Sequence, residues 1–147
     1  MPKCSEVMTR EPACSEPGDS ILNVAELMKR EDVGAIPVVD SRSSRRLVGI
    51  VTDRDLVVKV LAEGRDVHGA AVRDAMTPHP ATCREDQDVS QAVAQMAEHQ
   101  VRRLPVVDAE GRLCGIIAQA DIATRVKRDE TTGDMVEAIS EPRTVRK

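Results

Sequence analysis

Apolar residues recur along this chain at two spacings. Ile21, Val24, Ala25 and Met28 fall at helical intervals between Ser20 and Arg30, and Val89, Ala92, Val93 and Met96 repeat the pattern after Asp88. Both stretches predict amphipathic helices, and Asp88 with Gln91 three positions on reads as a capping box. Short β-branched runs follow each helix: Ile36–Val39 with Leu47–Val51, then Leu104–Val107 with Leu113–Ile117. These read as paired strands. A second helix follows each pair, Asp53–Ala62 and Ala120–Val126, the former with Leu56, Val57, Val60 and Leu61 as its apolar face. Turn-rich stretches at Met8–Gly18 and Met76–Gln87 precede all this, with short extended pieces around Ala13-Cys14 and Ala81–Cys83. Thr131–Ser140, with Met135, Val136 and Ile139 apolar, predicts one more short helix that docks on a helix or on a second subunit.

The order of elements repeats because the sequence repeats. VGAIPVVD at 33–40 returns as VRRLPVVD at 101–108, and Met8-Thr9 returns as Met76-Thr77, both 68 positions later. Leu47-Val48-Gly49-Ile50 returns as Leu113-Cys114-Gly115-Ile116, now 66 positions later, because the loop Ser41–Arg46 is replaced by the shorter Ala109–Arg112. Change in loops and constancy in strands are what a duplicated structural unit shows. Each repeat is β-α-β-β-α and, at roughly 60–70 residues, too small to bury much surface alone. The expected fold class is therefore α+β, the two repeats packed sheet to sheet around a pseudo-twofold axis, with clefts where strand ends and helix starts converge. The expected domains are 4–64 and 72–127, joined through Gly64 and residues 65–72, with a tail at 128–147.

Composition narrows the function. The 147 residues are 41% hydrophobic yet contain no Phe, Tyr or Trp, so no base can stack on an aromatic ring and single-strand nucleic-acid platforms are disfavoured. A net charge of −4 with both signs interspersed gives no basic groove for nucleic acid and no amphipathic membrane helix. No apolar run reaches the ~20 residues of a membrane span, and the N-terminus lacks the apolar stretch of a signal peptide. The expected location is cytoplasmic. Cys4, Cys14, Cys83 and Cys114 lack C-x-x-C spacing, and His68, His79 and His99 stand apart. They read as reduced thiols and non-ligand histidines, with zinc or redox chemistry arising only where folding gathers Cys14 or Cys83 beside a histidine. No nucleophile–base pair, Gly-rich phosphate loop or metal cluster appears, so an enzyme is not expected.

The candidate chemistry lies in Leu47–Leu56, LVGIVTDRDL. A strand feeds a helix whose first turn carries Thr52 and Asp55. As an isolated T-x-x-D this is a capping box that satisfies orphan N–H groups. In the context of a repeat it also fits a nucleotide site, with phosphate at the helix start and ribose hydroxyls on the carboxylate.

Taken together, the Met-Thr pairs, VGAIPVVD and VRRLPVVD, and LVGIVTDRDL and LCGIIAQADI resemble the cystathionine β-synthase (CBS) domain over about residues 4–127. Two in tandem form a Bateman module, here similar to free-standing bacterial proteins of hypoxic and stress responses. The resemblance implies a regulatory site for an adenine nucleotide (AMP, ADP, ATP or NAD) in each interdomain cleft, with no cofactor required. The family's motif, glycine-hydrophobic-x-Thr/Ser-x-x-Asp, is complete at Gly49, Thr52 and Asp55. The second copy keeps Gly115 and Asp121 but has Ala118 at the hydroxyl position. One implied site joins Thr52 and Asp55 to Thr77, Ala81 and Val101. The other joins Asp121 and the basic pair Arg102 and Arg103 to Thr9, Ala13, Val33, Gly34 and Ala35, the small side chains of the last three letting a base approach the backbone. The resemblance further implies a homodimer that signals by conformational change to a downstream protein of unknown identity, with no nucleic-acid or membrane partner. The rival reading is a structural dimerisation module that binds no nucleotide.

Overall fold

The structure, a computed structural model, describes residues 1–125; the helix expected at 131–140 and the tail around it lie outside the described residues. The described chain forms two compact units, each with its own sheet. One comprises Pro12–Pro80 with Glu110–Leu113 and is called here the Asp55 unit. The other comprises Met1–Glu11, Ala81–Ala109 and the chain from Cys114, and is called the Asp121 unit.

In the Asp55 unit, α2 (Ile21–Glu31) precedes β2 (Ala35–Val39), β3 (Leu47–Thr52) and β4 (Thr77–Pro78), which form a sheet in the order β2-β3-β4. Ser15 adds a parallel bridge to Val38. Ser20 caps α2, its hydroxyl accepting from Asn23 N at 3.0 Å, and Asp32 ends it in the left-handed region at φ 54°. The helix buries Ile21, Val24 and Met28 against Ile36, Val38, Val51, Val60 and Val72. These branched residues fill the core without any aromatic ring, as the composition requires.

In the Asp121 unit, α1 (Cys4–Val7), β1 (Thr9–Arg10), β5 (Cys83–Arg84), α4 (Val89–His99), β6 (Arg103–Val107), β7 (Leu113–Ala118) and α5 (Gln119–Arg125) give a sheet ordered β1-β7-β6-β5. The capping box expected at Asp88 and Gln91 starts α4, and Gln100 ends it at φ 54° as Asp32 ends α2. Met96, Leu104, Ile117 and Ile122 are fully buried at its centre. Cys83 pairs in parallel register with Val106, the counterpart of Ser15 with Val38.

Each Met-Thr pair sits in the sheet formed by the other repeat's hairpin. Thr9 of β1 pairs with Ile116 of β7, and Thr77 of β4 pairs with Ile50 of β3. The preceding methionines explain two glycines. A Cβ on Gly49 would lie 2.9 Å from Met76 Sδ and 3.0 Å from Thr77 O; on Gly115 it would overlap Met8 Sδ and lie 2.9 Å from Thr9 O.

The expected α-helix at 53–62 is corrected. Only Asp53–Asp55 (α3) is α-helical; Leu56–Leu61 form a π-helical turn, closed by Ala62 N donating to Val57 O at 2.8 Å. The wider turn rotates successive side chains by a smaller angle than an α-helix does. Val60 therefore stays fully buried while Val57 and Leu61, expected on the inner face, are 54% and 61% exposed.

Candidate functional site

Both units contain the same strand-to-helix turn, built by the same backbone contact. Asp53 N donates to Gly34 O at 2.9 Å in one, and Gln119 N donates to Arg102 O at 2.9 Å in the other. This fastens the first residue of the short helix to the residue that leads into the first strand of the hairpin, so that each carboxylate stands at a strand end.

In the Asp55 unit the capping box is reciprocal. Thr52 Oγ1 accepts from Asp55 N at 3.1 Å and Asp55 Oδ2 accepts from Thr52 N at 2.9 Å. Asp55 Oδ1 lies 3.2 Å from Lys59 Nζ, with the Asp55 side chain only 14% exposed. Lys59 Nζ also donates to Ala75 O at 3.1 Å. A second carboxylate crowds the same turn: a Cβ on Gly34 would lie 2.9 Å from Asp53 Oδ2.

In the Asp121 unit the box is half formed. Asp121 Oδ2 accepts from Ala118 N at 3.0 Å, but Ala118 has no hydroxyl to return the bond. Arg125, four residues on, donates through Nη1 to Val7 O at 2.8 Å and Met8 O at 3.0 Å. Arg102 and Arg103 are exposed where β6 begins, beside the start of α5.

The residues singled out from sequence divide between the units. Ala13, Val33, Gly34, Ala35, Thr52, Asp55 and Thr77 belong to the Asp55 unit; Thr9, Ala81, Val101, Arg102, Arg103 and Asp121 belong to the Asp121 unit. Within the first, Ala35 stands directly across the ladder from Thr52, and Thr77 faces Ile50 two residues before it. Thr9 faces Ile116, two residues before Ala118. Val33, Ala81 and Val101 are partly buried against their unit's core. Ala13 lines an open cavity of about 630 Å³ with Cys14, Ser15, Asn23, Leu27 and Arg45; none of the other expected residues lines it. Asp53 and Lys59 were not singled out from sequence, although Asp55 and Lys59 have the i, i+4 spacing of a helical ion pair.

Two of the four cysteines, Cys4 and Cys83, lie together. In the Asp121 unit the buried Cys83 thiol hydrogen-bonds to Cys4, which holds the Cys4 thiol below its usual range and, with burial, pushes Cys83 well above it. Burial and the neighbouring Glu85 push Cys114 up to about 11. Among the described residues no group of three His, Cys, Asp or Glu side chains is placed to hold a metal ion.

Comparison with known proteins gives these turns a context. The CBS domain family model matches residues 4–62 and 72–128. Hypoxic response protein 1 of Mycobacterium tuberculosis is 32% identical over 97% of this chain and 96% of its own length. A crystal structure of Hypoxic Response Protein I, described with two coordinated zinc ions, is 32% identical and covers 85% of this chain and 99% of that one at a TM-score of 0.78. CBSX2 of Arabidopsis thaliana, solved in complex with AMP, is 32% identical and covers 86% of this chain and 98% of its own, with a TM-score of 0.73. The CBS domain pair of protein MJ0100, solved with 5-methylthioadenosine and S-adenosyl-L-methionine, is 26% identical and covers 84% of this chain and 94% of its own, with a TM-score of 0.72.

Proposed function

The chain belongs to the CBS-domain family, of which it carries two copies, and from that premise we propose that it is a regulatory module sensing an adenine nucleotide: AMP, ADP, ATP or NAD. The observation that carries the reading is the Asp121 turn. One carboxylate oxygen is fixed by Ala118 N, which orients the other toward a ligand, and two exposed arginines begin the adjacent strand. A ribose diol donates to a carboxylate, and arginine pairs with phosphate. This combination fits a nucleotide better than a bare sugar or a bare phosphate. The residues assigned to the ligand are those expected from sequence, with Asp121, Arg102 and Arg103 contributing the charged contacts. AMP on CBSX2 and the adenosyl compounds on MJ0100 support the adenosyl class.

The module works as a homodimer in this reading. Val57, Val58 and Leu61 are each more than 40% exposed on one turn, an apolar patch that a second copy would cover. Its output is a conformational signal to a downstream protein, in the cytoplasm. No helix among the described residues is long and apolar enough to cross a membrane. A second reading, a dimerisation module without ligand, draws on Ala118 and on the capping role that both carboxylates already fill.

Melting curves separate the two. A ligand that binds only the folded state adds about 2.7 kcal/mol at 100 times its Kd, so AMP, ADP, ATP or NAD should raise Tm by several degrees. An unmoved Tm with all four at millimolar concentration selects the dimerisation module.

A further inference from the structure

We infer that Lys59 is an internal occupant of the Asp55 carboxylate, so that the two motif copies are unequal and the Asp55 copy takes a ribose only when Lys59 gives way. The inference rests on the adenosyl reading above and specifies how one of its sites is controlled.

Each copy places a cation four residues after its aspartate, Lys59 after Asp55 and Arg125 after Asp121. Both cations anchor the residue before a Met-Thr pair: Lys59 reaches Ala75 O, and Arg125 reaches Val7 O as well as Met8 O. Ala75 and Val7 are equivalent in the repeat, so the anchoring role is shared. What differs is the carboxylate. Arg125 spends one nitrogen on two backbone carbonyls and makes no ion pair with Asp121. The Lys59 ammonium is a compact charge with three donors, and it holds Ala75 O and Asp55 Oδ1 together.

The consequence follows from oxygen bookkeeping. Asp55 Oδ2 accepts from Thr52 N and Oδ1 lies against Lys59; a ribose diol approaching Oδ1 must share it with, or displace, a full positive charge. Among the described residues, Asp121 offers its second oxygen with no such competitor. An ion pair of this partly exposed kind imposes a modest penalty, roughly fivefold in affinity.

The test is calorimetric titration of the full-length protein with AMP, comparing wild type with Lys59→Met and Lys59→Gln. Gln removes the charge but keeps a donor for the Ala75 carbonyl, which guards against a folding defect in the Met variant. Wild type is expected to bind its first equivalent through Asp121 and a second at least fivefold more weakly. Either Lys59 variant should tighten the second event about fivefold, and Asp55→Ala in the same background should abolish that gain. Two equal events in wild type, or a weaker event unchanged in both variants, overturns the inference while leaving nucleotide binding intact. No heat in any protein overturns the adenosyl reading and the inference together.

Discussion

The turns at Thr52–Asp55 and Ala118–Asp121 descend from one repeated phrase and have kept different things. Several contacts that hold the backbone are duplicated: the bond from the first helical residue to the residue that leads into the hairpin, the methionine over the glycine, the cation on the carbonyl before Met-Thr. Of the groups that would meet a ligand, the aspartate is kept and several of its neighbours change. Gly34 and Asp53 in one turn correspond to Arg102 and Gln119 in the other, and Thr52 corresponds to Ala118. One turn is acidic and internally satisfied; the other is basic and half satisfied. The fold tolerates this divergence because the shared contacts are almost all made by backbone atoms or by side chains pointing into the core.

The largest expected effect tests the duplicated part. Gly115→Ala places a methyl group against both Met8 Sδ and the Thr9 carbonyl, 2.9 Å away. Backbone cannot swing aside as a side chain end can, so overpacking of this kind should cost about 3 kcal/mol. Gly49→Ala meets the equivalent pair, Met76 Sδ and Thr77 O, at 2.9 and 3.0 Å and should cost somewhat less. Urea unfolding of the two variants checks both the size and the order. Equal stability to wild type in either would mean that the Met-Thr strands do not pack as described.

The next effect tests the part that differs. Asp121→Ala removes the proposed ribose acceptor, and charge-assisted hydrogen bonds contribute about 1.5–3 kcal/mol, so affinity for AMP should fall ten- to a hundredfold. Asp55→Ala should leave that tight event in place and instead lower stability by about 1 kcal/mol, the usual worth of a helix cap. Calorimetry with parallel unfolding curves reads both. Unchanged affinity in Asp121→Ala would return both aspartates to the role of caps alone.

The contrast also shows what a sequence makes legible. Local pattern revealed the strands, the helix start at Ser20, the Asp88–Gln91 box and the Thr52–Asp55 box, because each depends on residues within four positions of one another. It also revealed the repeat and, through it, the family. It did not reveal that Thr9 pairs with Ile116 and Thr77 with Ile50, since a two-residue strand has no periodicity and its partner lies on the other repeat. The π-turn was hidden for a related reason. Leu56, Val57, Val60 and Leu61 have α-helical spacing, and a spacing of this kind does not distinguish an α-helix from the π-turn observed. Whether a cation at the fourth position holds a carbonyl or a carboxylate depends on distances of a few ångströms, which spacing alone does not carry.

The smallest effect bears on why the second copy lost its hydroxyl. In the first turn Asp55 N is satisfied by Thr52 Oγ1; in the second, Ala118 provides no acceptor for the equivalent Asp121 N. Ala118→Thr supplies one in a backbone that already matches, since Asp121 Oδ2 holds Ala118 N at 3.0 Å just as Asp55 Oδ2 holds Thr52 N at 2.9 Å. Restoring an N-cap hydroxyl is worth about 1 kcal/mol, so Tm should rise by a few degrees without ligand. If the hydroxyl served only as a cap, AMP affinity would stay constant and the melting curves with and without AMP would shift together. If it also reaches the ligand's phosphate, affinity for AMP should rise more than affinity for adenosine, because adenosine lacks the group the hydroxyl would touch. A variant no more stable than wild type would show that the two turns differ in backbone as well as in side chains, and that their likeness ends at the glycine.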